Sequence, residues 1–200
     1  LRGALEIRLN PGWKTYWIDP GSSGVPPTLD IEVGRQTVLT ALEFPAPKRF
    51  DDGYAQWAGY DRSVALAVTL KLPETFSNTV NVEARAFLGL CETICIPVQA
   101  SFSLNLDAGT TSGDERVVAA AFADLPGPAR PGFEAVAKEA GGDAILVETL
   151  VPDGVETLDF YLAGTEKLML GTPVRLADDA ATAFSVPVTG RAKPVSGKTL

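Results

Sequence analysis

The run Val64-Ala65-Leu66-Ala67-Val68-Thr69-Leu70-Lys71-Leu72 decides the fold class. Large apolar side chains occupy every second position, with Ala, Thr and Lys between them. That period of two belongs to a β-strand with one face in a core and the other in water. The same alternation returns at Val80, Val82, Ala84 and Ala86, set against Asn81, Glu83 and Arg85. It appears again at Phe102, Leu104 and Leu106, set against Ser101, Ser103 and Asn105. Turn-forming joints such as Asn10-Pro11-Gly12 and Asp19-Pro20-Gly21 separate such runs. Short strands with frequent turns predict an antiparallel sandwich over residues 1–107.

The texture changes after residue 107. Residues 108–113 are small, polar and unpatterned, and are expected to be a linker. Asp114 can cap a helix that places Val118 and Phe122 on one face. Pro131 is expected to open a second helix through Phe133, Val136, Ala137 and Ala140, closed by Gly141-Gly142. Strand-like runs follow at 145–150, 158–162 and 184–188. The expectation is therefore a mainly β protein with a smaller α+β domain over 114–200, of no assigned role.

Composition narrows the function. The chain has 200 residues, of which 46% are hydrophobic and 21% charged, enough for a sizeable core. Net charge is −8 and the basic residues are scattered, so no basic face invites nucleic acid. No apolar run reaches the roughly 18 residues of a membrane helix. No signal-peptide pattern heads the chain; Leu1-Arg2-Gly3-Ala4-Leu5-Glu6-Ile7 reads as a strand, as in a mature or trimmed chain. The absence of histidine removes Ser-His-Asp triads, Cys-His pairs and most zinc sites. Two cysteines and one methionine leave little for a soft metal, so neither a metal site nor a cofactor is expected.

The sharpest chemical signal is Leu90-Cys91-Glu92-Thr93-Ile94-Cys95-Ile96-Pro97. A disulfide needs Cα atoms about 4.4–6.8 Å apart. Four positions along a straight strand span roughly 13 Å, whereas one helical turn spans about 6 Å. If the two cysteines pair, the strand over 80–87 is expected to end before Cys91 and the chain to coil there. Pro97 would then help restart an extended segment. So short a ring stabilises the fold by only about 2 kcal/mol, which leans toward a redox role over a staple. Spacing alone leaves an inert local disulfide, or two buried thiols, equally open. Glu92 adjoins Cys91 and no Lys or Arg lies between Cys91 and Ala100. The thiols are therefore expected to have ordinary or raised pKa values.

Several motifs, taken in order, carry a resemblance. They are Pro11-Gly12-Trp13-Lys14-Thr15-Tyr16-Trp17, then Pro20-Gly21-Ser22-Ser23-Gly24-Val25-Pro26-Pro27 and Phe44-Pro45-Ala46-Pro47-Lys48-Arg49-Phe50. The pair Gly59-Tyr60 and the segment from Cys91 to Pro97 complete them. Over residues 1–107 the chain resembles the N-terminal periplasmic domain of the thiol:disulfide interchange protein DsbD. Relatives called suppressor of copper sensitivity protein B share this pattern. The resemblance implies an immunoglobulin-like sandwich and a periplasmic protein-disulfide reductase activity. Electrons would pass from a membrane-embedded partner, through a thioredoxin-like domain, to periplasmic thioredoxin-fold acceptors. It implies that Cys95 forms the mixed disulfide and Cys91 resolves it. It also implies an aromatic cap loop over the pair, for which Phe50, Tyr54, Trp57 and Tyr60 are the candidates.

Lys14 stands where the opening motif often has histidine, and Ser22 where it often has aspartate. Read without the resemblance, Trp13, Tyr16 and Trp17 are core and turn packing, and Asp51 and Asp52 are turn formers. Two rival readings remain: an immunoglobulin-like binding or assembly module with a purely structural disulfide, and a copper-handling domain. The second has only two thiols and no histidine to offer.

Overall fold

The computed structural model describes residues 1–21, 23–34, 36–51, 53–72, 79–107, 115–140, 142–155, 157–165, 168–176 and 182–191. The chain divides into two compact units, Leu1–Pro126 and Gly127–Leu200.

In the first unit the strands are β1 (Arg2–Ile7), β2 (Lys14–Gly21), β3 (Thr28–Val33), β4 (Gln36–Thr37), β5 (Leu39–Glu43), β6 (Lys48–Asp51), β7 (Gln56–Tyr60), β8 (Val64–Lys71), β9 (Thr79–Cys91) and β10 (Cys95–Asp107). One sheet runs β1-β8-β5 and the other β4-β3-β9-β2-β7-β6, with β10 on the far side of β9. Every pairing in both sheets is antiparallel. The long strand β9 pairs along its whole length with β10. Its other side is shared, with β3 taking 82–87 and β2 taking 90–91.

Period-two patterning places the core between the sheets. Ile31 and Val33 of β3, Val68 and Leu70 of β8, and Val82 and Ala84 of β9 form one cluster with Val38. Ile7, Tyr60, Leu66 and Leu88 form a second, backed by Trp17, Phe44, Leu90 and Val98. Two antiparallel sheets closed over such a core make an immunoglobulin-like sandwich.

The small face of β8 is not solvated as the alternation suggests: Ala67 is as fully buried as Leu66. Helix α1 (Glu115–Ala123) packs against β8 and β1, with Ala121 buried and Arg2 over the Phe122 ring at 4.5 Å. Small side chains on that face leave room for the helix. The helix thus belongs to the sandwich, and the division of the chain falls after Pro126 rather than before residue 114. The expected linker 108–113 and the capping Asp114 lie outside the described residues.

The second unit holds β11 (Glu134–Ala140), β12 (Ala144–Leu150), β13 (Leu168–Leu170), β14 (Val174–Leu176) and β15 (Thr182–Arg191). They form a sheet in the order β11-β12-β15-β13, with β14 also on β15. Two expectations are corrected here. Residues 131–140 are not a helix: 134–140 pair in register with β12, Glu134 opposite Leu150 through Ala140 opposite Ala144. The glycine taken as a helix stop, Gly142 at φ 95°, serves the hairpin turn. A glycine at positive φ suits either role, and the β-rich partner Ile145-Leu146-Val147 decides between them. The run 158–162 lies outside the strands. Phe160 and Leu162 instead pack on Val147, Leu170 and Val186, with Phe160 stacked on Phe184 at 4.9 Å. Among the described residues this unit's regular elements are strands, so the expected α+β character is absent.

Candidate functional site

Cys91 ends β9 and Cys95 begins β10, so the three residues Glu92-Thr93-Ile94 form the turn of a hairpin. The two cysteines stand opposite each other in register, with Cα atoms 4.1 Å apart, and a disulfide joins them. The chain does not coil at Cys91, as the spacing argument required. A separation of four suits a bridge when a tight turn folds the strand back, because opposed residues on antiparallel strands lie about 4.5–5.5 Å apart.

The pair is of the non-hydrogen-bonded kind: the Glu92 N–H donates to the Ile94 carbonyl at 3.2 Å, one residue nearer the turn. The Cys91 backbone therefore faces β2, where Lys14 is its register partner. The Cys95 backbone faces away from β9. Exposure follows the same asymmetry. Cys91 is 7% exposed, while Cys95 and Ile96 are exposed and Ile94 is 71% exposed at the tip.

Cys91 is buried in a cluster with the rings of Tyr16 and Trp57. The Tyr16 hydroxyl lies 2.8 Å from Cys91 Sγ and 3.2 Å from Cys95 Sγ, and as the only partner with a proton it donates. Its ring lies against two glycines. A Cβ on Gly89 would come within 2.9 Å of that ring, and one on Gly24 within 2.4 Å. Trp57 meets Tyr16 edge-on at 5.3 Å, and Phe50 stacks on Trp57 at 4.2 Å. Tyr16, Trp57 and Cys91 form one buried cluster with Phe50 against it. Across these rings lies the Lys14 ammonium, 5.5 Å from the Phe50 centroid and 5.7 Å from that of Trp57.

Of the expected cap residues, Phe50 and Trp57 meet at the Cys91 end of the disulfide. Tyr54 is 99% exposed at the β6–β7 turn, where the Asp51 carboxylate accepts the Gly53 N–H at 2.8 Å. Tyr60 points the other way, into the sandwich core, and donates its hydroxyl to the Pro45 carbonyl at 2.8 Å. Burial pushes its phenol pKa well above the ordinary value.

Sequence reasoning missed Tyr16 and Lys14 as site residues. Both lie far from the cysteines in the chain, but they share a face of β2 at positions two apart. One signal was available in Phe87-Leu88-Gly89-Leu90-Cys91. A glycine inside a strand, two residues before the cysteine and so on its face, marks a place where something comes close. Glu92 is therefore not the sole charged neighbour of Cys91, since Lys14 is its cross-strand partner.

Comparison with known proteins gives three matches. The family described as "Thiol:disulfide interchange protein DsbD, N-terminal" matches residues 1–107. The crystal structure of the N-terminal periplasmic domain of ScsB from Proteus mirabilis superposes with a TM-score of 0.71 at 26% identity. That match covers 98% of this chain and 79% of that one, and so extends past residue 107. A trehalose-phosphatase of Schizosaccharomyces pombe is 31% identical over 107 residues. The chain matches 13% of that protein's length, too small a part to bring its activity into question here.

Proposed function

The chain belongs to the family of the N-terminal domain of the thiol:disulfide interchange protein DsbD, and from that premise we propose that Cys91 and Cys95 carry electrons between thioredoxin-fold proteins in a bacterial periplasm. Membership makes the first unit a thiol–disulfide interchange domain. The direction of flow and the roles of the two sulfurs are part of that proposal.

The observation that supports it is the asymmetry of the two sulfurs. An attacking thiolate approaches the sulfur it bonds to from the side opposite the sulfur that leaves. The disulfide crosses from β9 to β10. Behind Cys91 lie β2 and the rings of Tyr16, Trp57 and Phe50. Cys95 is exposed, and its backbone faces away from β9. A donor thiolate therefore attacks Cys95 Sγ. The bond to Cys91 breaks, and its electron pair leaves on Cys91 Sγ as a thiolate. A second donor thiolate then attacks the donor sulfur of the mixed disulfide and releases Cys95. The reduced pair runs the same steps outward. Cys95 attacks an acceptor disulfide, then Cys91 attacks Cys95 and releases a reduced acceptor. Phe50 and Trp57 keep bystander thiols from Cys91, and Tyr16 steadies the sulfur that leaves.

Trapping tests this assignment. With Cys91→Ser, a mixed disulfide through Cys95 should accumulate with oxidised thioredoxin or another oxidised thioredoxin-fold probe, because the sulfur that would resolve it is gone. With Cys95→Ser none should form. The reverse pattern would exchange the two roles. An inert bond is separated by its reduction potential: below about −300 mV it is structural, whereas a carrier lies near −270 mV or above.

A further inference from the structure

We propose that Lys14 is the counter-charge of the Cys91 thiolate that forms during exchange. Each turnover leaves an electron pair on Cys91 Sγ, and Cys91 is a buried residue, 7% exposed. A buried anion without a partner is strongly disfavoured. Tyr16 supplies a hydrogen bond but no charge.

The groups facing this sulfur are few. From β2 come Tyr16 and Lys14, the register partner of Cys91. The turn contributes Glu92, whose carboxylate lies beside Gly12, where a Cβ would meet its Oε1 at 3.5 Å. From β6 and β7 come Phe50 and Trp57, both apolar against it. Lys48 on β6 is bound to Asp61 at 3.0 Å, and Asp51 to Gln56 at 3.0 Å. Asp19 on β2 accepts the Gly21 N–H. Among the described residues on these elements, Lys14 is thus the cation placed to answer the thiolate.

Its present position fits that role. Directly opposed residues on neighbouring strands have Cβ atoms about 4.5–5.5 Å apart on the same face. While the sulfurs are bonded there is no anion, and the ammonium lies over the Phe50 and Trp57 rings. Ring faces hold a cation loosely. When the disulfide opens, a flexible four-carbon stem lets the ammonium turn to the sulfur. No proton moves in that step; a charge formed on one atom is met by a charge already present.

The rate consequence rests on the exchange reading above, but the effect on the thiol does not, and the experiment uses that difference. In a reduced Cys95→Ser background Cys91 is the one thiol, and its thiolate absorbance is followed against pH. Adding Lys14→Met should raise the midpoint by about one pH unit, tenfold less thiolate at a given pH below it. Lys14→Arg should restore most of the change, and Glu92→Gln should lower the midpoint. With both cysteines present, Lys14→Met should slow reduction by dithiothreitol about tenfold. A midpoint unmoved by Lys14→Met overturns the proposal, even if exchange with proteins proceeds. A midpoint that moves while thioredoxin-fold proteins never react overturns the carrier reading and leaves the counter-charge standing.

Discussion

A phenol hydroxyl within reach of two bonded sulfurs does little while they stay bonded, because disulfide sulfur is a weak acceptor. It matters when one sulfur becomes an anion, since a hydrogen bond to a charged group is worth about 1.5–3 kcal/mol. Tyr16→Phe keeps the ring in its slot and removes only the donor. The fold should hold, while reduction by dithiothreitol, followed by stopped flow, should slow about tenfold or more. An unchanged rate would show that the contact is packing alone. Gly89 tests the slot from the other side. Gly89→Ala places a methyl within 2.9 Å of the Tyr16 ring, so the ring must shift, at a cost of about 1–3 kcal/mol in denaturant unfolding. Tyr60, turned into the core, carries a pH prediction. Burial raises its phenol pKa above the ordinary value near 10. Its contribution to stability is full below that value. Above it the unfolded chain loses its proton first, so stability falls as pH rises. Tyr60→Phe should flatten that alkaline fall in a thermal-melt series.

The β9–β10 hairpin sets which sulfur can be reached, and its register makes an independent prediction. Because Cys91 and Cys95 are a non-hydrogen-bonded pair, odd-numbered residues of β10 turn their N–H groups away from β9. Pro97 occupies such a position, where its missing donor costs the ladder nothing. Gln99→Pro should therefore cost about 1 kcal/mol or less, and Ala100→Pro about 2–3 kcal/mol, through loss of its bond to Ala86. Equal losses in urea titrations would place the register one residue off. Elements of this kind were legible where one strand carries its own pattern. Residues 64–72 and 80–87 read as strands from their alternation alone, and β8 and β9 stand there. The run 134–140 did not, because Ala-rich sequence suits a helix and only the neighbouring β12 makes it a strand. The cysteine geometry failed for a related reason. A spacing of four was compared with a straight strand and a helical turn, whereas a hairpin turn is defined by pairing across chain segments. Lys14 and Tyr16 escaped notice because a partner 77 or 75 positions along the chain leaves no mark on their own alternation, and Gly89 alone hinted at a close approach.

At the scale of the whole molecule, the break in sequence texture near residue 107 and the break in packing do not coincide. Alternation ends with β10, but the sandwich does not, because α1 covers the small face of β8. A strand whose two faces are both buried reads as half-solvated when the covering element lies later in the chain. Where the first unit is cut should therefore decide its stability. A chain ending after Pro126 retains α1 and should unfold as one cooperative unit, with its disulfide reduced by dithiothreitol at the rate seen in the full chain. A chain ending after Asp107 exposes Ala67 and the face of β1 and β8 that receives Ala121 and Phe122. Losing the burial of one large ring and its neighbours costs about 3 kcal/mol. The shorter chain should melt several degrees lower and expose apolar surface to a hydrophobic dye. The cysteine hairpin lies on the other sheet, held by β2 and β3. In whatever fraction of the shorter chain stays folded, the chemistry at Cys95 should be unchanged. If instead both chains melt alike, the helix is an ornament on the sandwich, and the boundary read from the sequence is the one that governs folding.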